Sequence, residues 1–240
     1  MSVFLEWKKV KRTGFLPTFL CGGILASVIP VVNMAVRSEI YQTKQGTPVQ
    51  ILLDANWQTM AMLNLLLVIA GACLLYHTEY ADHAMQKLNS LPIPKSSVFF
   101  GKMMMLIFMD VMVLAIEAGA ITFCSVYWFE AEYGLWGDVW KNFGYIFLLM
   151  QPCAVLSLIF SQACKNMWVS LGTGVICVFV ATMLPTDNFV LSLFPFAAPF
   201  QIFEGTSKEL AIHYILAAVA EVLVFGLTEL VYLRVRRLFE

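Results

Sequence analysis

Four carboxylic acids interrupt the long apolar stretches of this sequence, and their types and spacing could support ion or proton chemistry. Asp110 and Glu117 stand seven residues apart, and Glu221 and Glu229 stand eight apart. Either spacing places both members of a pair on about the same face of a helix. Ionisable groups are costly in hydrocarbon, so they normally face a bundle interior or a wet cavity. We predict that Asp110, Glu117 and Glu221 line a translocation pathway or a subunit interface, with Glu229 nearer the membrane surface; hydrogen-bonded packing residues are the alternative.

The composition places these acids in a membrane protein. Of the 240 residues, 60% are hydrophobic and 13% are charged, and the mean hydropathy is +0.78. Ordinary soluble domains are about 45–50% apolar and about 25% charged. The net charge of -1 gives no overall field that would attract nucleic acid, so no nucleic-acid partner is expected.

Six apolar stretches are long enough to cross a bilayer, because a helix rises about 1.5 Å per residue and the hydrocarbon core is about 30 Å thick. Their approximate bounds are 15–36, 57–76, 98–128, 143–163, 167–184 and 212–233. The sequence therefore predicts an all-α polytopic membrane protein with six transmembrane helices, forming a single domain over residues 1–240.

The positions of lysine and arginine predict the orientation, because short cytoplasmic loops are enriched in these residues. Basic residues gather before the first span, after the last span, and in the second-to-third and fourth-to-fifth loops: Lys8, Lys9, Lys11, Arg12, Lys87, Lys95, Lys102, Lys165, Arg234, Arg236 and Arg237. We expect these segments, and hence both termini, to be cytoplasmic.

Two polar segments have the periodicity of amphipathic helices. In residues 1–14, Trp7 and Val10 share an apolar face and the lysines lie mostly elsewhere, which predicts a helix lying in the membrane interface. A basic tail without fixed structure is the alternative. In residues 79–91 apolar side chains recur every three or four positions, and Pro92 ends the pattern. This second segment predicts a short cytoplasmic helix whose apolar face docks on a partner.

The second polar segment resembles the corresponding part of ABC-2-type transporter permeases. An acid begins it, SLPIPK at 90–95 ends it, and Gly101 and Lys102 open the next span. In that family the short helix is a coupling helix that sits in a cleft of the ATP-binding subunit. The resemblance implies a coupling segment at 77–97 whose ATPase-docking residues are Glu79, Tyr80, Ala84, Met85, Leu88, Leu91 and Pro92.

Nearly the whole chain is similar to this family, including an N-terminal elbow helix and a proline-broken segment, 185–208, that resembles its half-inserted extracellular hairpin. The likeness is greatest to permeases of lantibiotic-immunity exporters. This implies a bacterial plasma-membrane permease that expels an antimicrobial peptide. Its expected partners are two ABC ATPase subunits, a second permease, identical or related, and membrane lipid. Extracellular substrate contacts are expected at Trp136, Trp140, Phe194 and Phe196, and for the two tryptophans an interfacial aromatic belt is the alternative.

The chain is not expected to be an enzyme, because it contains no GxxxxGK[ST] phosphate loop. No cofactor or metal is expected on this chain, and ATP and Mg would bind the partner ATPase. Two other functions stay open. One is export of another lipophilic substrate or drug, and the other is a proton-coupled carrier that uses the intramembrane acids as its relay.

Overall fold

The computed structural model describes residues 3–10, 13–81, 95–130, 134–164, 166–184 and 188–239. These ranges contain the helices α1 (Val3–Val10), α2 (Phe15–Gln42), α3 (Pro48–Ala81), α4 (Lys95–Phe129), α5 (Leu135–Ala163), α6 (Met167–Met183), α7 (Phe189–Ser192) and α8 (Lys208–Phe239). A 3-10 turn covers Ala198–Phe200. The all-α prediction is confirmed for these residues, among which there is no strand.

Five helices, α2, α3, α4, α5 and α8, are long and apolar enough to cross a membrane. Each contains one of the predicted spans and extends beyond it, because the flanking polar residues continue the helical hydrogen bonding. The remaining predicted span, 167–184, corresponds to α6, which has 17 residues. At about 1.5 Å per residue this helix is roughly 25 Å long, somewhat short of the hydrocarbon core. Passage of α6 through the membrane therefore stays a prediction.

Helices α3 and α5 form the centre of the bundle. In their most apolar windows 61% and 67% of the residues are buried, compared with 28% in α2 and 17% in α8. Helix α3 contacts α2, α4, α5 and α6, whereas α8 packs mainly on α5. The exposed faces of α2 and α8 are apolar, which fits a surface covered by lipid or by another subunit.

Two glycines allow α2 and α3 to approach each other closely. A Cβ on Gly22 would lie 2.4 Å from Leu67 Cδ2, and a Cβ on Gly71 would lie 2.6 Å from Phe19 Cζ. Carbon atoms in good contact are about 3.5–4.0 Å apart. The missing side chains therefore make room for Leu67 and Phe19 on the facing helix.

Helix α1 covers eight residues of the N-terminal segment. Its Trp7 ring meets Phe108 of α4 edge-on, with centroids 6.0 Å apart. Val10 is buried, whereas Lys8 and Lys9 are exposed. The helix is therefore amphipathic in its described part, and its location in the membrane interface stays a prediction.

The segment between α6 and α8 folds back onto the end of the bundle where α3 and α5 begin. The indole Nε1 of Trp57 donates a hydrogen bond to Pro199 O over 2.9 Å. The hydroxyls of Ser192 and Tyr214 are hydrogen-bonded to each other. These contacts position residues 188–207 against the helices, and partial insertion of the segment into the membrane stays a prediction.

Candidate functional site

The two acids of α4 lie inside the bundle, each beside an amide side chain of a neighbouring helix. Asn64 Nδ2 of α3 donates to Glu117 Oε2 over 2.9 Å. Gln151 Nε2 of α5 donates to Asp110 Oδ2 over 3.1 Å and to Phe147 O over 2.9 Å. Because seven residues make about two helical turns, the two acid–amide pairs follow each other along one face of α4.

All four side chains of these pairs are buried: Glu117 is 0% exposed, Asn64 1%, Asp110 4% and Gln151 8%. Glu117 Oε1, Asn64 Oδ1 and Gln151 Oε1 have no hydrogen-bond partner within the described part of the chain. Buried polar atoms almost always have a partner, so three orphaned acceptors in one polar cluster require an explanation. The acids face other helices of the same chain, and their role in a translocation pathway stays a prediction.

The two acids of α8 are separate from this cluster. Glu221 is half-buried and Glu229 is 4% exposed. Tyr214 and Ala218 pack the helix against α5, and its other side exposes large apolar residues such as Leu223. The four acids found in the sequence therefore form two groups, one within the bundle and one on a peripheral helix.

An apolar groove of about 490 Å³ lies between α4 and α5. Helix α4 contributes Val111, Leu114, Ala115, Ala118, Gly119 and Thr122, and α5 contributes Trp136, Val139, Trp140, Phe143, Gly144 and Phe147. The Thr122 hydroxyl donates to Ala118 O and so adds little polarity to the wall. A Cβ on Gly119 or Gly144 would meet no atom within 4 Å, so these two glycines widen the groove.

The four aromatic residues predicted to contact substrate occupy two different environments. Trp136 and Trp140 border the groove and are 66% and 74% exposed. Phe196 is fully buried, and its ring packs against Phe194 with centroids 5.5 Å apart. The two tryptophans are accessible to an external ligand, whereas Phe196 is enclosed by protein.

The predicted ATPase-docking residues begin in the last turn of α3 and continue outside the described residues. Glu79 and Tyr80 belong to α3, which extends to Ala81. The other predicted docking residues, Ala84, Met85, Leu88, Leu91 and Pro92, lie within 82–94, outside the described residues. A separate coupling helix therefore stays a prediction, and its first residues prolong a spanning helix.

The end of α3 and the beginning of α4, which flank segment 82–94, form hydrogen bonds with neighbouring helices. On the α3 side, Tyr76 OH donates to Gln162 Oε1 over 2.6 Å and Tyr80 OH donates to Gln162 O over 2.7 Å. On the α4 side, the fully buried Lys102 donates from Nζ to Leu75 O over 2.6 Å and lies 4.8 Å from the centroid of the Tyr76 ring. The ends of α3, α4 and α5 are therefore linked at the point where this segment leaves the bundle.

Sequence reasoning missed the partners of the buried acids and the glycines of the groove. Asn64 and Gln151 could have been singled out, because amide side chains inside apolar spans are costly unless paired. Gly119 and Gly144 carry no local signal, since their importance depends on which side of each helix faces the groove.

The fold and its buried polar cluster define a polytopic α-helical membrane protein built around one helix bundle. Its sequence matches the family described as ABC-2 family transporter protein over residues 2–181, three quarters of the chain. The chain therefore belongs to this family of transport permeases, which work with an ABC ATPase and are generally not catalytic themselves. No curated protein and no solved structure gives a significant match.

Proposed function

We propose that the chain is the permease subunit of an ATP-driven exporter that removes a membrane-active antimicrobial peptide, a lantibiotic, from the bacterial plasma membrane. The apolar groove between α4 and α5, in a chain of the ABC-2 family, carries this proposal. An amphipathic peptide inserted in the outer leaflet presents its apolar face within the lipid. A groove on the side of the bundle can receive that face without exposing it to water.

The residues at the groove suit a cationic amphipathic peptide. Exposed indoles favour the headgroup region of a bilayer. The faces of Trp136 and Trp140 can also attract a cationic side chain by cation–π interaction. Asp138 lies between them in sequence and is 3.7 Å from Lys141 in an ion pair. The groove therefore combines an apolar wall with an aromatic rim, and this ion pair lies on the same stretch of α5.

In this proposal, ATP binds two separate ATPase subunits, and residues 79–91 convey their motion to the permease. The bonds of Tyr76, Tyr80 and Lys102 support that role, because they tie both flanks of the segment to the spanning helices. A second permease, identical or related, completes the transport pathway, with α6 as the sixth span and both termini in the cytoplasm. The exposed apolar faces of α2 and α8 provide the surface for this partner and for lipid.

Co-purification in mild detergent tests the ATPase partnership. We expect the tagged chain to recover an ABC ATPase, and Met85→Asp and Leu88→Asp to lose it, because each places a charge on the apolar face of the docking segment. Gln86→Asp is the matched control, since it adds the same charge on the polar face. Retention of the ATPase by Met85→Asp would refute docking through this segment, and its absence from the unmodified chain would refute ATP-driven export.

A protection assay tests the substrate and the groove. Cells producing the chain with its ATPase are challenged with a cationic lanthipeptide and, separately, with an uncharged lipophilic dye. We expect protection against the peptide, reduced severalfold by Gly144→Leu, which fills the groove. Gly137→Leu is the control, because Gly137 is an open α5 glycine outside the groove lining. Protection against the dye alone would favour another lipophilic substrate, and equal activity of both variants would exclude the groove.

A further inference from the structure

The contact between Glu117 and Asn64 leaves two oxygens without a donor. Asn64 Nδ2 donates to Glu117 Oε2 over 2.9 Å, but Glu117 Oε1 and Asn64 Oδ1 have no partner among the residues described. Glu117 is 0% exposed and Asn64 1%. A carboxamide carries its donor on one side and its acceptor on the other. Turning the Asn64 amide over would exchange these two ends and supply no additional donor.

The described residues place no buried cation beside Glu117. Asp110, about two turns away on the same helix, is another acid and supplies no positive charge. Lys102 is the buried cation of the described residues, and it lies fifteen residues away on α4, about 22 Å along the axis at roughly 1.5 Å per residue. A carboxylate anion at this position would be poorly compensated.

The neighbouring helices do not change this balance. The buried residues of α2 carry no charge. Among the described residues, the buried amide, serine and cysteine side chains of α3 and α5 are uncharged: Asn56, Asn64, Asn142, Gln151, Ser157, Ser161, Gln162, Cys73 and Cys153. Helix α8 contributes the half-buried Glu221 and the buried Glu229, and its basic residues Lys208, His213 and Arg234 are exposed. The buried side chains described for these helices therefore include no cation that could balance a negative charge on Glu117.

We propose that Glu117 is a proton-binding site and that its protonated carboxyl group pairs with the Asn64 amide in a two-hydrogen-bond ring. The proton resides on Oε1, whose hydroxyl donates to Asn64 Oδ1, while Asn64 Nδ2 still donates to Oε2. One proton thus gives both orphaned oxygens a partner and removes the charge from the bundle interior. This site is independent of the proposed peptide substrate, because it lies within one chain between α3 and α4.

The bound proton also joins two spanning helices. When the proton leaves, the ring loses one of its two hydrogen bonds and the remaining carboxylate is buried without a cation, which favours separation of α3 from α4 or entry of water. Asp110 provides an internal comparison, because its partner Gln151 is also held by Phe147 O. Proton binding at Glu117 is therefore a device that sets the spacing of α3 and α4.

Infrared difference spectroscopy of the full chain in lipid nanodiscs, between neutral and alkaline pH, tests the proposal. We expect the C=O band of a protonated, hydrogen-bonded carboxylic acid, which shifts in D2O and disappears in alkali. Glu117→Gln should remove this band, and Asp110→Asn is the control that should leave it in place. Asn64→Leu should move it to higher frequency, because the acid loses its amide partner.

The stability of Glu117→Gln provides a second readout. The glutamine amide can donate to Asn64 Oδ1 as the protonated acid does. We therefore expect the variant to elute from a size-exclusion column as the unmodified chain does, and to unfold at the same temperature at neutral pH. Identical carboxyl bands in the unmodified chain and in Glu117→Gln would overturn the proposal. Failure of Glu117→Gln to fold would overturn it too, because the fold would then depend on the negative charge.

Discussion

Replacing Gly71 with alanine should weaken the packing of α2 on α3 and α4, whereas the same replacement at Gly119 should not. The new Cβ on residue 71 would lie 2.6 and 2.7 Å from Cζ and Cε2 of Phe19 and 3.0 Å from Leu106 Cδ2. Phe19 is 1% exposed, and its ring packs against that of Phe15 with centroids 4.9 Å apart. The ring has little room to move away, so the clash must be relieved by shifting a helix.

Two opposing effects set how much Gly71→Ala changes the free energy of unfolding. Overpacking a buried site costs about 1–3 kcal/mol. Alanine is also about 1 kcal/mol better than glycine inside a helix, and this gain applies to both variants. This gain cancels when the two variants are compared. Gly119→Ala has no overpacking cost, because a Cβ on Gly119 meets no atom within 4 Å. We therefore expect Gly71→Ala to be less stable than Gly119→Ala by about 1–3 kcal/mol.

The assay is reversible unfolding of the purified chain in mixed micelles of increasing dodecyl sulfate content, with the free energy taken from the transition. The double variant Phe19→Leu with Gly71→Ala should recover part of the loss, because the smaller side chain relieves the clash and the two sites are coupled. Equal transitions for Gly71→Ala and Gly119→Ala would refute the close approach of Phe19 to α3.

Three other substitutions probe single hydrogen bonds. Trp57→Phe should lower the free energy of unfolding by about 1–3 kcal/mol, because Pro199 O loses a buried donor 2.9 Å away, and an unchanged transition would contradict this. Tyr80→Phe removes the donor to Gln162 O and should cost about 0.5–1.5 kcal/mol while speeding proteolysis after α3; equal cleavage rates would count against it. Asn166→Ala removes the side-chain cap of α6 and should cost about 1 kcal/mol, whereas Asn166→Asp retains the acceptor and should be neutral.

The five helices long and apolar enough to cross a membrane were predictable because the signal for a membrane span is local. A stretch of about 20 apolar residues is favourable in hydrocarbon whatever its neighbours are. The N-terminal helix was likewise predictable from its periodicity, and the family from the pattern around residues 79–102. Helix α6 is the least determined element, since its 17 residues are near the minimum length for a span.

The partners of the polar residues were not predictable in this way. The sequence identified Asp110 and Glu117 as costly residues that must face a protected environment. It did not identify Asn64 and Gln151 as their partners, because they come from other helices, 53 and 41 residues away. The groove was missed for the same reason, since its lining residues are contributed by two helices whose facing sides depend on how each is rotated.

The sequence by itself determined that the chain is a polytopic helical membrane protein, since each span depends on a local sum of transfer free energies along the helix. The tertiary structure alone decided that Glu117 and Asn64 are in contact and that each keeps one buried oxygen without a donor. It also decided that Gly119 and Gly144 widen a groove. These features depend on the rotation and spacing of neighbouring helices, which are set by side-chain packing across many pairs of residues distant in sequence.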